Sequence, residues 1–164
     1  MINARGETLQ EKPAFRNLLG SKRCIVPLDG FYEWKAAQKG LKTPYRITTT
    51  DQEIFSTAGL WDKWTDPNTG EVWHTFTIIT TTPNALMASI HDRMPAILLK
   101  QAEKDWLDPG LSATEALQLI QPYPAECMTA YEVSSLVNNV RNRSKEVIEP
   151  VRAPKYGIQG TLFD

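Results

Sequence analysis

Three neighbouring side chains in the segment His91-Asp92-Arg93 could carry proton transfer and anion binding. An imidazole exchanges protons near neutral pH, and a guanidinium grips phosphate through two parallel hydrogen bonds. The segment follows a predicted short helix, residues 83–89, and precedes a predicted strand, residues 95–99. Loops at such junctions often carry functional groups. On residue types alone, the more common outcome is a surface loop in which Asp92 caps or pairs locally.

Glu33 is a second candidate, because it lies inside an aromatic predicted strand, residues 31–34. A carboxyl group among aromatic side chains tends to have a raised pKa and can then act as a general acid or base. The alternative is that Glu33 points outward and pairs with Lys35 or Arg46. The pattern by itself leaves both interpretations open.

Two polar segments could also contribute to a site. Residues 3–7, NARGE, precede the first predicted helix, and they could equally be an N-cap and a solvated first turn. Residues 80–84, TTTPN, place hydroxyl groups at a strand-to-helix turn, where free N–H groups can bind phosphate oxygens. Ordinary capping chemistry is the alternative there.

Metal and cofactor chemistry is not indicated by the sequence. The two histidines, His74 and His91, belong to no H-E-x-x-H or C-x-x-C pattern. Cys24 and His91 could form a nucleophilic pair, but Cys24 lies in an apolar predicted strand, as a core residue would. Cys127 is also interpreted as structural. We therefore predict no metal site and no cofactor.

Length and composition are those of an ordinary globular domain: 164 residues, of which 41% are hydrophobic and 23% charged. No apolar run approaches the ~20 residues of a membrane span, and the N-terminus lacks the apolar core of a secretory signal. Two cysteines fit a reducing, cytoplasmic setting and exclude a disulfide framework.

The net charge of −1 argues against a nucleic-acid surface over the whole chain. The charge is nevertheless uneven. Residues 1–50 carry nine Lys or Arg against four Asp or Glu, residues 51–132 four against twelve, and residues 133–164 five against three. A fold that joins the two ends would create one basic side. Scatter over a solvated surface is an equal alternative.

Short predicted strands dominate the chain, with few and short helices between them. The clearest strand covers residues 71–81 and follows a turn signal at residues 66–70, which indicates a hairpin. The sequence therefore predicts an α+β fold with a mostly antiparallel, barrel-like β core and short helices. We expect one domain over residues 1–152 and a C-terminal tail over residues 153–164.

Seven sequence blocks, taken together and in this order, resemble the SOS-response-associated peptidase (SRAP) domain family. Any one block alone would be weak evidence, but together they cover most of the chain. The blocks are NARGE (3–7), PAFR (13–16), RCIVPLDGFYEW (23–34), TAGLW (57–61), TTTPN (80–84), IHDRMP (90–95) and VSSLVNN (133–139). The resemblance implies one mixed domain with a β-barrel-like core and a positively charged groove for single-stranded DNA.

The resemblance also implies a function in the SOS response to DNA damage. Family members sense abasic sites in single-stranded DNA and attach to them covalently. Their nucleophile is a cysteine at position two, whose α-amine forms a Schiff base with the abasic aldehyde and whose thiol closes a thiazolidine ring. The implied partner is single-stranded DNA with abasic sites and not a membrane, and the implied location is the cytoplasm, at the nucleoid.

Catalytic roles carry over from the family by position. Glu33 resembles the acid–base residue beside the nucleophile, and His91 the residue that assists opening of the sugar ring. Asn3 resembles the side chain that orients the nucleophile and the substrate.

DNA contacts carry over to four further residues. Arg5 and Arg93 resemble phosphate clamps, Thr80 a further backbone contact, and Trp34 a support of the pocket wall. The two arginines come from distant segments, as a basic side built from separate parts of the chain requires. A groove that reads the backbone would have a weak sequence preference.

The start of the chain departs from the family pattern. Family members open with Met-Cys-Gly-Arg and carry several dozen residues before the NAR block, whereas Met1-Ile2 leads directly into Asn3 here. We therefore expect a domain that lacks its N-terminal segment and is inactive in crosslinking as it stands. Cys24 cannot substitute, because a thiazolidine needs an α-amine and a thiol on one residue. Missing strands would also leave an open sheet edge, which predicts self-association.

Two other functions stay open at this point. One is a module that binds single-stranded DNA without chemistry, and the other is a cysteine-type peptidase or autopeptidase, as the family name suggests.

Overall fold

Eight strands and three α-helices make up residues 2–151, the part of the chain that the computed structural model describes. The strands are β1 (Asn3–Arg5), β2 (Arg23–Leu28), β3 (Phe31–Ala36), β4 (Lys42–Thr49), β5 (Phe55–Thr65), β6 (Val72–Thr81), β7 (Met94–Pro95) and β8 (Met128–Glu132). The helices are α1 (Pro13–Ser21), α2 (Ala102–Leu107) and α3 (Ala113–Gln118). The predicted tail, residues 153–164, lies outside the described residues.

The first sheet has the strand order β1-β6-β5-β2, and β7 also pairs with β6. β1 runs parallel to β6, whereas the other pairs are antiparallel. The β5–β6 hairpin turns at the predicted position. There the Asp66 carboxylate accepts the backbone N–H of Asn68 (2.7 Å), and Gly70 adopts a φ of 73°, a conformation that glycine reaches without a Cβ clash.

The second sheet has the order β3-β4-β8 and is wholly antiparallel. The chain enters it from β2 through the tight turn Asp29-Gly30. A Cβ on Gly30 would lie 3.0 Å from both Nε of Arg46 and the carbonyl oxygen of Ile47, so a larger residue would push β4 away. Arg46 also binds the turn, because its Nη2 donates to Oδ2 of Asp29 (3.0 Å). This junction fixes the path by which β3 leaves the first sheet.

Two hydrophobic clusters hold the layers together. One packs the helices against the first sheet and includes Trp106 of α2 beside Leu60 of β5, both fully buried. The other joins the two sheets, with Ile47 of β4 and Met128 of β8 on one side and Phe55 of β5 on the other. Met94 of β7 belongs to the same cluster, so side chains fill the space between the two sheets on the side where β7 lies.

The predicted α+β class and its single domain of antiparallel strands are confirmed, but the barrel describes the core only loosely. The two sheets do not close on each other. The partner of β1 is the segment Ile78–Thr80, and from Val72 to Phe76 no strand of residues 2–151 lies along that edge of β6. The sheets can stay open because their apolar faces are already covered, by helices or by the other sheet, without closure into a barrel.

Two local predictions were wrong in extent. The helix predicted at residues 83–89 is reduced to a 3₁₀ turn, Met87–Ser89, because Asn84 is anchored from outside by the Tyr123 carbonyl (2.6 Å) and caps Met87 with its Oδ1 (2.9 Å). The strand predicted at residues 95–99 is a two-residue strand followed by a single bridge from Ile97 to β5. No helix within residues 2–151 is long and apolar enough to cross a membrane.

Candidate functional site

A cleft of about 380 Å³ opens where the two sheets meet. Its walls come from β1, the ends of β2 and β6, the first residues of β3 and the loop that leads into β7. Six of the seven residues predicted as site residues line it: Asn3, Arg5, Glu33, Thr80, His91 and Arg93. The fold thus brings together segments that are far apart in the sequence.

The parallel pairing of β1 with β6 delivers Asn3 and Arg5 to the cleft. Asn3 lies opposite Ile78 and Arg5 opposite Thr80. Side chains alternate along a strand, so Ala4 between them is buried in the core under the helices while both flanking side chains face the other way and are exposed. The NARGE block is therefore strand and turn, and it does not cap a helix.

Glu33 forms the opposite wall and is half-buried in β3. Burial raises the pKa of its carboxyl group, and attraction to His91 opposes that rise. The nearest basic group is the His91 ring, whose Nε2 lies 3.8 Å from Oε2 of Glu33. The sequence alternative of pairing with Arg46 does not occur, because that side chain binds Tyr131 (2.9 Å) and Asp29 instead. Glu33 is thus a carboxyl group that can hold a proton beside an imidazole.

The ring of His91 is held by its own loop. Its Nδ1 lies within hydrogen-bond distance of both the backbone N–H (3.1 Å) and the carbonyl oxygen (3.3 Å) of Arg93, and Nε2 is the nitrogen that faces Glu33. The Asp92 carboxylate lies 3.2 Å from Nδ1 and stabilises the ring when it is charged. Asp92 thus pairs locally while His91 and Arg93 of the same loop line the cleft, although the sequence presented local pairing and a site as alternatives.

The two arginines predicted as phosphate clamps differ in their surroundings. Arg5 is exposed at the rim and makes no ion pair within residues 2–151. Arg93 is held by Glu7, whose two carboxylate oxygens each accept a guanidinium N–H at 2.8 Å, and by the carbonyl of Thr80 at 2.7 Å. The hydrogen bond from Arg93 is the main reason that the pKa of Glu7 is lowered.

Trp34, the seventh predicted residue, does not line the cleft. It follows Glu33 in β3, so its side chain emerges on the other face of the strand. Its indole N–H donates to Oδ1 of Asn138 (2.7 Å), in the block VSSLVNN. The sequence resemblance included this block without a role for Asn138.

Sequence reasoning missed two features of the site. Glu7 was part of the NARGE cluster, yet only the three-dimensional structure shows that it pairs with Arg93. The apolar part of the wall, including Phe31 and Met94, was also missed, because isolated hydrophobic residues carry no signal of a cleft.

The two cysteines lie away from this cleft. Cys24 is half-buried and lines a separate apolar hollow with Trp61, His74 and Phe76, and burial raises the pKa of its thiol. Neither thiol lines the cleft with His91. Within residues 2–151, no three His, Cys, Asp or Glu side chains come close enough together to hold a metal ion.

Comparison with known proteins identifies the family. The family model described as SOS response associated peptidase (SRAP) matches residues 1–140. The chain belongs to the SRAP family. It is 55% identical over 150 residues to the abasic site processing protein YoqW of Bacillus subtilis (strain 168), which covers 91% of this chain and 66% of that protein. It is 40% identical over 169 residues to the abasic site processing protein HMCES of Xenopus tropicalis, covering 91% of this chain and 50% of that one.

A crystal structure of a protein from Bacteroides thetaiotaomicron has the same SRAP fold. It superimposes with a TM-score of 0.85 at 41% sequence identity, over 92% of this chain and 66% of the other. This SRAP chain therefore spans about two thirds or less of the lengths of these relatives.

Proposed function

We propose that the protein acts in the response to DNA damage by binding single-stranded DNA and processing abasic sites in the cleft. One observation carries the proposal: a protonatable carboxyl group, Glu33, and an imidazole, His91, face each other at 3.8 Å inside a cleft with the exposed Arg5 at its rim. Two relatives named as abasic site processing proteins support the choice of substrate.

Arg5 is the proposed phosphate contact, because its charge is exposed and unpaired among the described residues. Thr80 lies opposite it in the β1–β6 register, so the two could hold successive parts of one sugar–phosphate backbone. Trp34 is the proposed support of the pocket wall from the outer side of β3, where its indole N–H binds Asn138. Arg93 belongs to the same predicted set, but a phosphate would reach its guanidinium only by displacing Glu7.

The proposed chemistry acts on the aldehyde of a ring-opened abasic sugar. An imidazole beside the sugar can take up the hydroxyl proton that ring opening moves. An α-amine then adds to the aldehyde carbon, water leaves as Glu33 donates a proton, and a thiol on the same residue adds to the resulting imine. One water is released overall and a thiazolidine is formed. Cys24 and Cys127 cannot supply this pair, because their α-nitrogens are in peptide bonds.

The test is a chimera in which an N-terminal segment of the kind that the SRAP resemblance implies, opening with Met-Cys-Gly-Arg, precedes Asn3. We expect an adduct with abasic single-stranded DNA that survives denaturing gel electrophoresis, and none with the same oligonucleotide lacking the abasic site. The matched control replaces the added cysteine with serine. A chimera that folds and binds DNA yet forms no adduct would contradict the covalent step.

A module that only binds single-stranded DNA is the second candidate. It is favoured by the position of both thiols outside the cleft. The chimera separates the two candidates. If it binds single-stranded DNA but forms no adduct, binding is the only one of the two functions that remains. The peptidase alternative has no comparable support, because no thiol of the described residues accompanies His91 in the cleft.

We also propose self-association through the exposed edge of β6. Residues 72–76 carry no charge that would guard this edge, and Trp73 and Phe76 are more than half exposed. Sedimentation velocity over a range of concentrations would show dimers, and a clean monomer at the highest concentration would contradict the proposal. The proposed DNA substrate would place the protein at the nucleoid.

A further inference from the structure

We propose that Glu7 is a positioning residue that acts through Arg93 on the tautomer of His91, an inference that depends on the proposed function only for its consequence in catalysis. Glu7 lies in the 3₁₀ turn Gly6–Thr8, directly after β1. It does not line the cleft itself, so its effect must pass through another residue.

Arg93 is the link between three parts of the fold. Its Nη1 and Nη2 each donate to one oxygen of Glu7 at 2.8 Å, and Nη2 also donates to the carbonyl of Thr80 at 2.7 Å. One guanidinium therefore ties the turn after β1, the end of β6 and the loop before β7. The side chain is only 17% exposed, and its Nε is buried without a hydrogen-bond partner among the described residues. The low exposure and the bonds to Glu7 and Thr80 are features of an anchored side chain, whereas Nε is a donor that those bonds leave unused.

The backbone of Arg93 carries this anchoring to the imidazole. Its N–H lies 3.1 Å from Nδ1 of His91, and when it donates to that nitrogen the proton of the neutral ring is on Nε2, towards Glu33. The loop offers Nδ1 other partners, namely the carbonyl of Arg93 (3.3 Å) and the carboxylate of Asp92 (3.2 Å). Both favour a proton on Nδ1. The anchored guanidinium fixes how these partners meet Nδ1, so its release should change the balance between the two tautomers.

The alternative is that the Glu7 carboxylate only occupies the donors of Arg93 that a DNA phosphate would otherwise bind. A carboxylate and a phosphate do use the same fork of donors. However, Arg93 also holds the Thr80 carbonyl, and Arg5 stands exposed nearby to take a phosphate without breaking an ion pair. The two ideas predict opposite effects of removing the Glu7 charge.

The decisive variant is Glu7→Gln, with Glu11→Gln as the matched control, since Glu11 is exposed and makes no ion pair within residues 2–151. The ¹⁵N resonances of the His91 ring are measured in the protein alone. We expect Glu7→Gln to move them towards the other tautomer and the control to leave them unchanged. Binding of single-stranded DNA should change less than about twofold, with an unchanged salt dependence. In the chimera the adduct rate should fall roughly tenfold.

Two results would overturn the inference. One is an unchanged His91 spectrum in folded Glu7→Gln. The other is tighter DNA binding with a salt dependence steeper by about one phosphate contact, which would show that Glu7 had been competing with DNA. If the chain binds no DNA at all, the proposed function fails while the His91 spectra still decide this inference.

Arg93→Lys provides a second variant in case Glu7→Gln does not fold. Lysine keeps the charge but loses the fork that reaches Glu7 and Thr80 together. A shifted His91 spectrum in the folded variant supports positioning whether or not DNA binding changes, and an unshifted spectrum contradicts it.

Discussion

Two carboxyl groups near one cleft, Glu33 in its wall and Glu7 behind the opposite wall, have opposite pKa shifts. Glu33, on the β3 wall, is half-buried with no cation bonded to it, and burial raises its pKa. Glu7, beside the β1 wall, is nearly half exposed and bonded through both oxygens to Arg93, which lowers its pKa. The side chains are chemically identical, so the difference comes from their surroundings alone.

The contrast shows how chemistry and scaffolding divide the site. A carboxyl group that takes up a proton easily can deliver it to a leaving hydroxyl. A carboxylate that stays charged is a better anchor, because its hydrogen bonds do not depend on pH near neutrality. The β3 wall is thus suited to react, and the β1 wall is suited to hold the arginine that orients His91.

The largest expected effect comes from replacing Glu33, the carboxyl group on the β3 wall. In the chimera, Glu33→Gln should slow formation of the abasic-site adduct by about 10²–10⁴-fold, because an amide cannot transfer the proton. DNA affinity should stay near that of the parent. Single-turnover gel assays at saturating protein measure the rate. A rate within threefold of the parent would remove Glu33 from the chemistry.

The sequence predicted the Glu33 half of this contrast but not the Glu7 half. The aromatic neighbours of Glu33 in the sequence already indicated a raised pKa, and the strand carrying it was placed within two residues of its observed end. The pairing of Glu7 with Arg93 could not be foreseen, because it depends on β1 lying parallel to β6, a long-range contact with no local signature. Local patterns predicted the strands and helices. The prediction that residues from distant segments meet in one site came from the resemblance to the SRAP family.

A smaller effect concerns DNA binding at the rim. Arg5→Ala should weaken binding of single-stranded DNA and reduce the slope of log K against log salt by about 0.7, the value for one phosphate contact on a single strand. Arg16→Ala is the control, since Arg16 is exposed on α1, away from the cleft. Fluorescence anisotropy across a salt series measures both. Equal slopes for the two variants would contradict a rim contact at Arg5.

The contrast can be sharpened by thermal stability as a function of pH. The raised pKa of Glu33 means that its charge costs stability above about pH 4.5, the ordinary value, so Glu33→Gln should raise Tm at pH 7. The lowered pKa of Glu7 means the reverse, so Glu7→Gln should lower Tm at pH 7. Each change should be about 1–3 °C. Below the lowered pKa of Glu7, where both carboxyl groups are protonated, the two differences should fade.

The temperature shifts are measured by calorimetry in buffers from pH 3 to pH 8. Shifts of the same sign at pH 7 would show that the two walls do not differ as described.

The smallest effect tests the outer side of β3, which belongs to neither wall. Asn138→Ala removes the acceptor of the Trp34 indole N–H and should cost about 0.5–1 kcal/mol of unfolding free energy, because the contact is exposed to water. Adduct formation should be unaffected in the chimera. Urea unfolding followed by Trp fluorescence gives the free energy, and a loss of adduct would place Trp34 closer to the chemistry than its position suggests.

The parallel pairing of β1 with β6 also sets an order of events in time. Asn3 and Arg5 are synthesised long before Ile78 and Thr80, the residues with which they must align. A contact over so long a loop forms late, because the loop must lose its freedom before the pairing contributes. The β5–β6 hairpin and the β3–β4 pair can form from nearer neighbours, whereas β8 joins β4 over a separation as long as that of β1 and β6. Completion of the cleft therefore depends on one of the late contacts of the fold, and an error in the β1–β6 pairing would remove Asn3 and Arg5 from the site.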